Sequence, residues 1–170
     1  MILYVTVPCY NEEAVLPETS KRLKAKITSL ISGGIIDSKS RVCFIDDGSK
    51  DKTWEIIKSL TESDELFSGI KLAHNRGHQN ALLAGLMTAK EYADIVVSMD
   101  ADLQDDIDAL DRFIEKYNEG CDIVYGVRSS RKKDTFFKRS TALAYYRFLA
   151  RMGVDIVYNH ADYRLMSKRA

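Results

Sequence analysis

Two hydrophobic patterns alternate along this 170-residue chain. Short apolar runs of strand length occur at Ile2–Val7, Arg41–Ile45, Ile70–Ala73, Ile95–Ser98 and Asp122–Gly126, the first ending at Pro8. Between them, apolar residues recur at helical spacing. Leu16, Leu23, Ile27, Leu30 and Ile31 predict a helix ending near Gly33-Gly34, and Trp54, Ile57 and Leu60 predict a second one capped by Ser49 or Asp51. Gly77 to Lys90 predicts a third, whose Ala81, Ala84 and Gly85 suit close packing on a sheet. Asp106 to Glu119 predicts a fourth, with Ile107, Leu110, Phe113, Ile114 and Tyr117 on one face. Regular alternation of strand and helix implies an α/β fold: a mostly parallel, Rossmann-like sheet covered by helices on both faces, with right-handed crossovers.

The fourth apolar run breaks abruptly into Asp100-Ala101-Asp102-Leu103-Gln104. Carboxylates at the carboxyl edge of such a sheet stand where open α/β folds bind ligands. Two hard oxygen donors on a short turn can hold a divalent cation whose other positions are filled by water and substrate phosphates. The alternative is helix capping, which accounts for Asp105 or Asp106 but less well for Asp100 and Asp102, several residues ahead of the helix.

Composition narrows this picture little. Hydrophobic content of 45% and charged content of 29% are ordinary for a globular domain, and 25 basic residues balance 25 acidic ones. The distribution is more informative. Ten acids face two bases between Asp94 and Asp122, whereas eight bases face one acid between Arg128 and Arg151. A segment able to hold a cation is thus followed by one able to hold anions, although most such charges simply keep a surface solvated. Cys9, Cys43 and Cys121 are too far apart for a metal motif and odd in number, so reduced thiols are expected, with Cys43 and Cys121 in the core. The apolar start at Ile2 leads to the expectation of no signal peptide, and no run approaches the ~20 residues that span a bilayer. A Gly-x-Gly-x-x-Gly after the first strand and a phosphate loop ending in Gly-Lys-Ser/Thr are both missing, which argues against a dehydrogenase or a P-loop NTPase. His74 and His78 straddle Gly77 and are expected to be polar loop residues. Nothing demands nucleic acid as a partner.

Several motifs now stand in order: Pro8-x-Tyr10-Asn11-Glu12, Asp46-Asp47-Gly48-Ser49, Asn75-x-Gly77, Asp100-x-Asp102-Leu103-Gln104, Tyr125-Gly126-Val127-Arg128 and Ala161-Asp162-Tyr163-Arg164-Leu165-Met166. Each is weak singly. As an ordered set covering essentially the whole chain, they resemble the GT-A family 2 glycosyltransferases, and within these the polyprenyl-phosphate sugar transferases of the dolichol-phosphate mannose synthase and bactoprenol glucosyltransferase type.

The resemblance implies a nucleotide-sugar site made of Pro8, Tyr10, Glu12, Asp46, Asp47, Gly77, Asp100, Ala101 and Asp102, with Asp46 or Asp47 reaching the base or ribose. It implies Mg2+ or Mn2+ at Asp100, Asp102 and Gln104. Arg128, with Arg131, Lys138 and Arg139, would receive the acceptor phosphate. Asp102, Arg128 and Asp162 would carry the chemistry, Asp162 as a positioning or electrostatic residue first and a general base second. A structural Asp162 paired with Arg164 is the competing role. The chemistry is coherent: a phosphate monoester, with a second pKa near ~6, is already nucleophilic at neutral pH and needs a cationic clamp more than a base. Arginine suits that clamp because its planar fork binds phosphate oxygens in pairs.

A helix expected from Asp134 to Met152 mixes Phe136, Phe137, Tyr145, Tyr146 and Phe148 with basic residues, which suits a membrane interface as well as packing on the sheet. Arg128 to Lys133 is expected to be a loop. The resemblance further implies that relatives continue past the Asp-Tyr-Arg motif, so residues 1–170 are expected to be one catalytic domain truncated at its C-terminal end. Ile107 stands where relatives often have proline. The leading expectation is a metal-dependent inverting transferase moving a sugar, glucose from UDP-glucose before a GDP-sugar, to a polyprenyl phosphate at the cytoplasmic face of the membrane; a homo-oligomer is compatible. Alternatives are an enzyme extending a glycan, which would need Asp162 as base, and a nucleotide-sugar-binding module without turnover.

Overall fold

A computed structural model describes residues 1–127 and 160–170. The elements are β1 (Leu3–Cys9), α1 (Leu16–Ser32), β2 (Arg41–Asp46), α2 (Thr53–Ser63), β3 (Phe67–Lys71), α3 (His78–Ala89), β4 (Ile95–Ser98), α4 (Ala109–Asn118), β5 (Ile123–Val127) and β6 (His160–Ser167). Met1–Val124 and Asp162–Ala170 form one compact unit. The strands make a six-stranded sheet in the order β3-β2-β1-β4-β6-β5. β1 pairs in parallel with both β2 and β4, and β2 in parallel with β3. This is the α/β, mostly parallel architecture read from the sequence.

β1 lies at the centre, which is why its side chains are buried at nearly every position instead of alternating. The strand runs through Pro8, where the sequence predicted its end. The Thr6 carbonyl accepts the Met99 N–H, so Pro8, two residues on, faces the same side. Pairing with β4 has ended there at Thr6↔Ser98, and the proline's missing N–H leaves no rung of the ladder unmade. On the other side, Pro8 and Cys9 stay in register with Ile45 and Asp46.

β6 is the principal addition to the predicted topology. It runs antiparallel to β4, from Ile95↔Ser167 to Ser98↔Arg164, so the Asp-Tyr-Arg motif lies beside the strand that delivers Asp100. Smaller differences have local causes. β3 begins at Phe67, three residues earlier than predicted, because Asp64 turns the chain at once, accepting the Leu66 N–H on its side chain and the Phe67 N–H on its carbonyl. Phe67 then stacks on Phe44, with ring centroids 5.9 Å apart. α4 begins at Ala109 instead of Asp106, because Asp106 closes a turn by accepting the Asp108 N–H on its carboxylate. α2 has no side-chain cap at its N-cap residue Lys52, and of its predicted inward residues Ile57 is buried whereas Trp54 and Leu60 are half-buried. Cys9 and Cys43 are buried free thiols, but Cys121 is exposed, contrary to expectation, just past the end of α4. α3 is the small-residue helix predicted, burying Ala81, Leu82, Gly85 and Ala89. Among the described residues, no helix is long and apolar enough to cross a membrane.

Candidate active site

The parallel strands β1, β2 and β4 end on the same edge, and a hollow of about 230 Å³ opens there. It is lined by Pro8, Cys9, Tyr10 and Glu12 after β1, Asp47 after β2, Asn75, Gly77 and His78 at the start of α3, and Asp100, Ala101 and Asp102 after β4. Eight of the predicted nucleotide-sugar residues (Pro8, Tyr10, Glu12, Asp47, Gly77, Asp100, Ala101 and Asp102) therefore meet in one place.

The Asp46-Asp47-Gly48-Ser49 turn holds the walls together. Asp46 is fully buried and outside the hollow; its Oδ1 accepts the Ser49 N–H at 3.2 Å, while its Oδ2 has no hydrogen-bond partner. Asp47 accepts the Arg76 and Gly77 N–H groups on its two oxygens, at 2.7 and 2.9 Å, so the start of α3 hangs from this carboxylate. The loop after β1 is stitched to the loop after β2. Asn11 N–H donates to Ser49 Oγ, Glu12 N–H to Thr53 Oγ1 and Glu13 N–H to Asp51 Oδ2, and in return Lys50 N–H donates to Asn11 Oδ1 and Lys52 N–H to Glu13 Oε2. Asn11 adopts a left-handed φ of 57°, a conformation asparagine tolerates better than most residues.

Asp100 and Asp102 stand at the front of their turn. Gln104, predicted to join them, is exposed and lines a separate hollow against α1 with Arg22, Lys26 and Asp108. Among the described residues no three His, Cys, Asp or Glu side chains are gathered to hold a metal ion by themselves. Two carboxylates that leave most positions to water and phosphate oxygens nevertheless fit a hard cation such as Mg2+ or Mn2+. The electrostatics agree. Burial, then the neighbouring Asp105 charge, raises the Asp100 carboxyl above its ordinary value of 3.8, with His78 opposing. Glu12 is likewise raised, by burial and then by Asp102, Asp51 and Asp100. A cation between these groups would offset the mutual repulsion of the carboxylates.

A pH prediction follows from Asp100. Its folded-state value lies above the unfolded one, so ionisation destabilises the fold; the penalty is complete above the raised value and absent below 3.8. Asp100→Asn is expected to melt higher than the parent at pH 7 in chelator, with the difference shrinking as pH falls towards 4. Thermal melts across that range check this, and a difference independent of pH would assign the effect to packing.

Asp162 and Arg164 share one face of β6, and Tyr163 and Leu165 are buried on the other. The Asp162 carboxylate faces His78, whose Nε2 lies 3.6 Å from Asp162 Oδ2 and 3.8 Å from Asp100 Oδ1. Gln79 Nε2 donates to Asp162 Oδ2 at 3.5 Å, and Ser98 Oγ donates to the Asp162 carbonyl. His78, read from sequence as a polar loop residue, thus stands between the two carboxylate motifs. Its spacing from Asn75 and Gly77 is the same with or without that role, so no local signal marked it. Tyr163 was also missed. Its hydroxyl donates to the Asp106 carbonyl at 3.0 Å and its ring packs on Phe113, bracing the loop that carries Asp100. Arg128, Arg131, Lys138 and Arg139, the predicted acceptor-phosphate residues, and the aromatic-basic stretch after them lie outside the described residues.

Residues 4–170 match the family described as Glycosyl transferase family 2. A Bacillus subtilis (strain 168) protein named as a glycosyltransferase, YkoT, is 53% identical over 169 residues, which cover 99% of this chain and 50% of that protein. The bactoprenol glucosyl transferase of Shigella phage SfV is 36% identical over 99% of this chain and 52% of its own length. The chain thus spans about half the length of the curated relatives it matches. Among solved structures, glucosyl-3-phosphoglycerate synthase from Mycobacterium tuberculosis, in complex with Mn2+, UDP and glucosyl-3-phosphoglycerate, matches with a TM-score of 0.64 at 19% identity over 99% of this chain and 57% of that one, a likeness of fold. The ordered motifs, the sheet-edge hollow they build and the match across nearly every residue lead to one conclusion: this chain belongs to the family 2 glycosyltransferases, with the GT-A fold.

Proposed function

We propose that this chain is the catalytic domain of a metal-dependent inverting hexosyltransferase that moves glucose from UDP-glucose to a polyprenyl phosphate at the cytoplasmic face of the membrane. The observation that carries this reading is the Asp100-Ala101-Asp102 turn opening onto the hollow lined by Tyr10, Glu12, Asp47 and His78. The lipid acceptor and the glucose are supported by relatives named bactoprenol glucosyl transferase, and the nucleotide and metal by the Mn2+ and UDP in the complex of the fold neighbour.

In this reading Asp100 and Asp102 would hold the cation, whose charge would offset that developing on the diphosphate leaving group. Tyr10 and Glu12 flank the nucleoside. Asp47 acts from the wall, holding the Arg76–Gly77 amides and thereby the first turn of α3. An acceptor phosphate oxygen attacks the anomeric carbon as the bond to the diphosphate breaks, and UDP leaves. A phosphate acceptor at neutral pH brings its own nucleophilic oxygen, so Asp162 serves as an electrostatic and positioning group beside His78. Arg128, with Arg131, Lys138 and Arg139, is assigned to that phosphate. A second reading has a hydroxyl acceptor and Asp162 as general base; it is favoured by the half-exposed Asp162 carboxylate standing within 3.6 Å of His78.

Calorimetric titration of UDP, GDP and their glucose and mannose conjugates, with Mn2+ and with chelator, tests the donor assignment. UDP and UDP-glucose are expected to bind only with Mn2+, and more tightly than the guanine series. Binding indifferent to chelator, or a preference for GDP, would overturn it.

A further inference from the structure

We infer that Thr19, on the buried face of α1, is a positioning residue for the donor site: its hydroxyl holds the Ala101 carbonyl and so fixes the two carboxylates on either side. The inference rests on the reading of Asp100 and Asp102 as the cation and diphosphate turn.

Thr19 is fully buried, and its Oγ1 lies 2.7 Å from the Ala101 carbonyl, 82 residues away in sequence. A helical threonine ordinarily returns its hydroxyl proton to the carbonyl four residues back. Here that carbonyl, of Val15, is 3.1 Å away and remains the longer contact. One proton serves one strong bond, and the geometry gives it to Ala101. Ala101 is itself buried, at 3% exposure, so little water competes for its carbonyl.

The turn needs such a hold. Leu103, immediately after Asp102, has φ of +59°, a left-handed conformation that a side chain of this size rarely adopts. A strained residue persists where its surroundings over-determine it, and the contacts here come from three directions. Met99 N–H donates to the Thr6 carbonyl of β1, Asp100 N–H donates to Asp105 Oδ2 at 3.3 Å, and Thr19 takes the carbonyl between the two acids. Of the three, the Thr19 bond is the one made by a side chain from outside the β4 segment, and it holds the Ala101–Asp102 peptide. Releasing it frees that peptide to rotate, and both carboxylates turn with it. Binding must then restore an arrangement that the parent chain holds in advance.

The test uses Thr19→Val, which keeps the shape and removes the hydroxyl, Thr19→Ser, which restores the hydroxyl, and Ile27→Val, which trims the same buried helix face two turns away. Hydrogen exchange of the Met99–Gln104 amides in chelator reads the hold directly, without any ligand. It is expected to quicken about tenfold in Thr19→Val, because local opening rather than global unfolding governs such amides. Thr19→Ser and Ile27→Val should remain within about twofold of the parent. Mn2+-dependent UDP affinity should fall about tenfold in Thr19→Val alone, the share of a lost buried hydrogen bond that binding must restore. Unchanged exchange in Thr19→Val, or equal quickening in Ile27→Val, would overturn the inference. Selective quickening in Thr19→Val, with a parent chain that binds no UDP, would keep the Thr19 hold and reject the donor site instead.

Discussion

Asp102→Asn is expected to weaken Mn2+-dependent UDP binding by about a hundredfold or more, near 2.7 kcal/mol, while leaving the melting temperature unchanged or slightly higher. The two effects separate because of where Asp102 sits. Its side chain is exposed, and the hydrogen bond recorded for it, from the Gln104 N–H to Oδ1 at 3.1 Å, can be accepted equally by an asparagine oxygen. Little folding energy is therefore invested in its charge. That charge repels its surroundings instead, contributing to the raised carboxyls of Glu12 and Asp100. Removing it lessens the repulsion among these carboxylates and would deprive the proposed cation of one of two anionic ligands. Calorimetry with Mn2+ and with chelator, beside a thermal melt, reads both halves. Retained affinity would remove Asp102 from the metal site, and a large fall in melting temperature would make it a structural residue.

Part of the proposed donor site was legible in the sequence for a physical reason. Asp100 and Asp102 sit where an apolar run ends, and polar groups there have no core to serve, whereas Tyr10 and Glu12 were singled out through the family resemblance. The residues that place them were harder to see. Thr19 lies on the buried face of α1 among Leu16, Leu23 and Ile27; a hydroxyl at such a position signals a buried partner but does not say which. Asp105 looked like a helix cap, yet it is buried and takes the Asp100 N–H. His78 acquires Asp162 as a neighbour because β6 lies next to β4, a pairing that no periodicity within either segment encodes. Long-range pairing of this kind fixed the difference between the predicted and observed sheet, and it also turned Asp162 and Asp100 towards the same histidine.

The Asp46-Asp47-Gly48-Ser49 turn also has a structural job, and Gly48→Ala is the sharpest way to expose it. Gly48 has φ of +70°, where any L side chain costs about 1 kcal/mol. A Cβ there would also stand 2.6 Å from Asn75 N and His74 C, backbone atoms that cannot rotate aside. The loop at His74–Gly77 must therefore retreat. Beside it the Asp47 carboxylate holds the Arg76 and Gly77 amides at 2.7 and 2.9 Å, and retreat breaks or strains both buried bonds. Strain, overlap and two weakened charge-assisted bonds together predict a loss of about 3 kcal/mol or more, near 10 °C in melting temperature for a domain of this size. Gly34→Ala provides the control. Gly34 has a matching positive φ, +69°, but an added Cβ meets nothing within 4 Å, so only the conformational cost of about 1 kcal/mol should appear. The binding consequence is equally specific: Gly48→Ala displaces Gly77 and His78 from the hollow, so UDP affinity should fall even at temperatures where the variant is fully folded. A Gly48→Ala chain that melts within about 2 °C of Gly34→Ala would mean that the two loops re-space freely and that Asp47 does not hold the start of α3 in place.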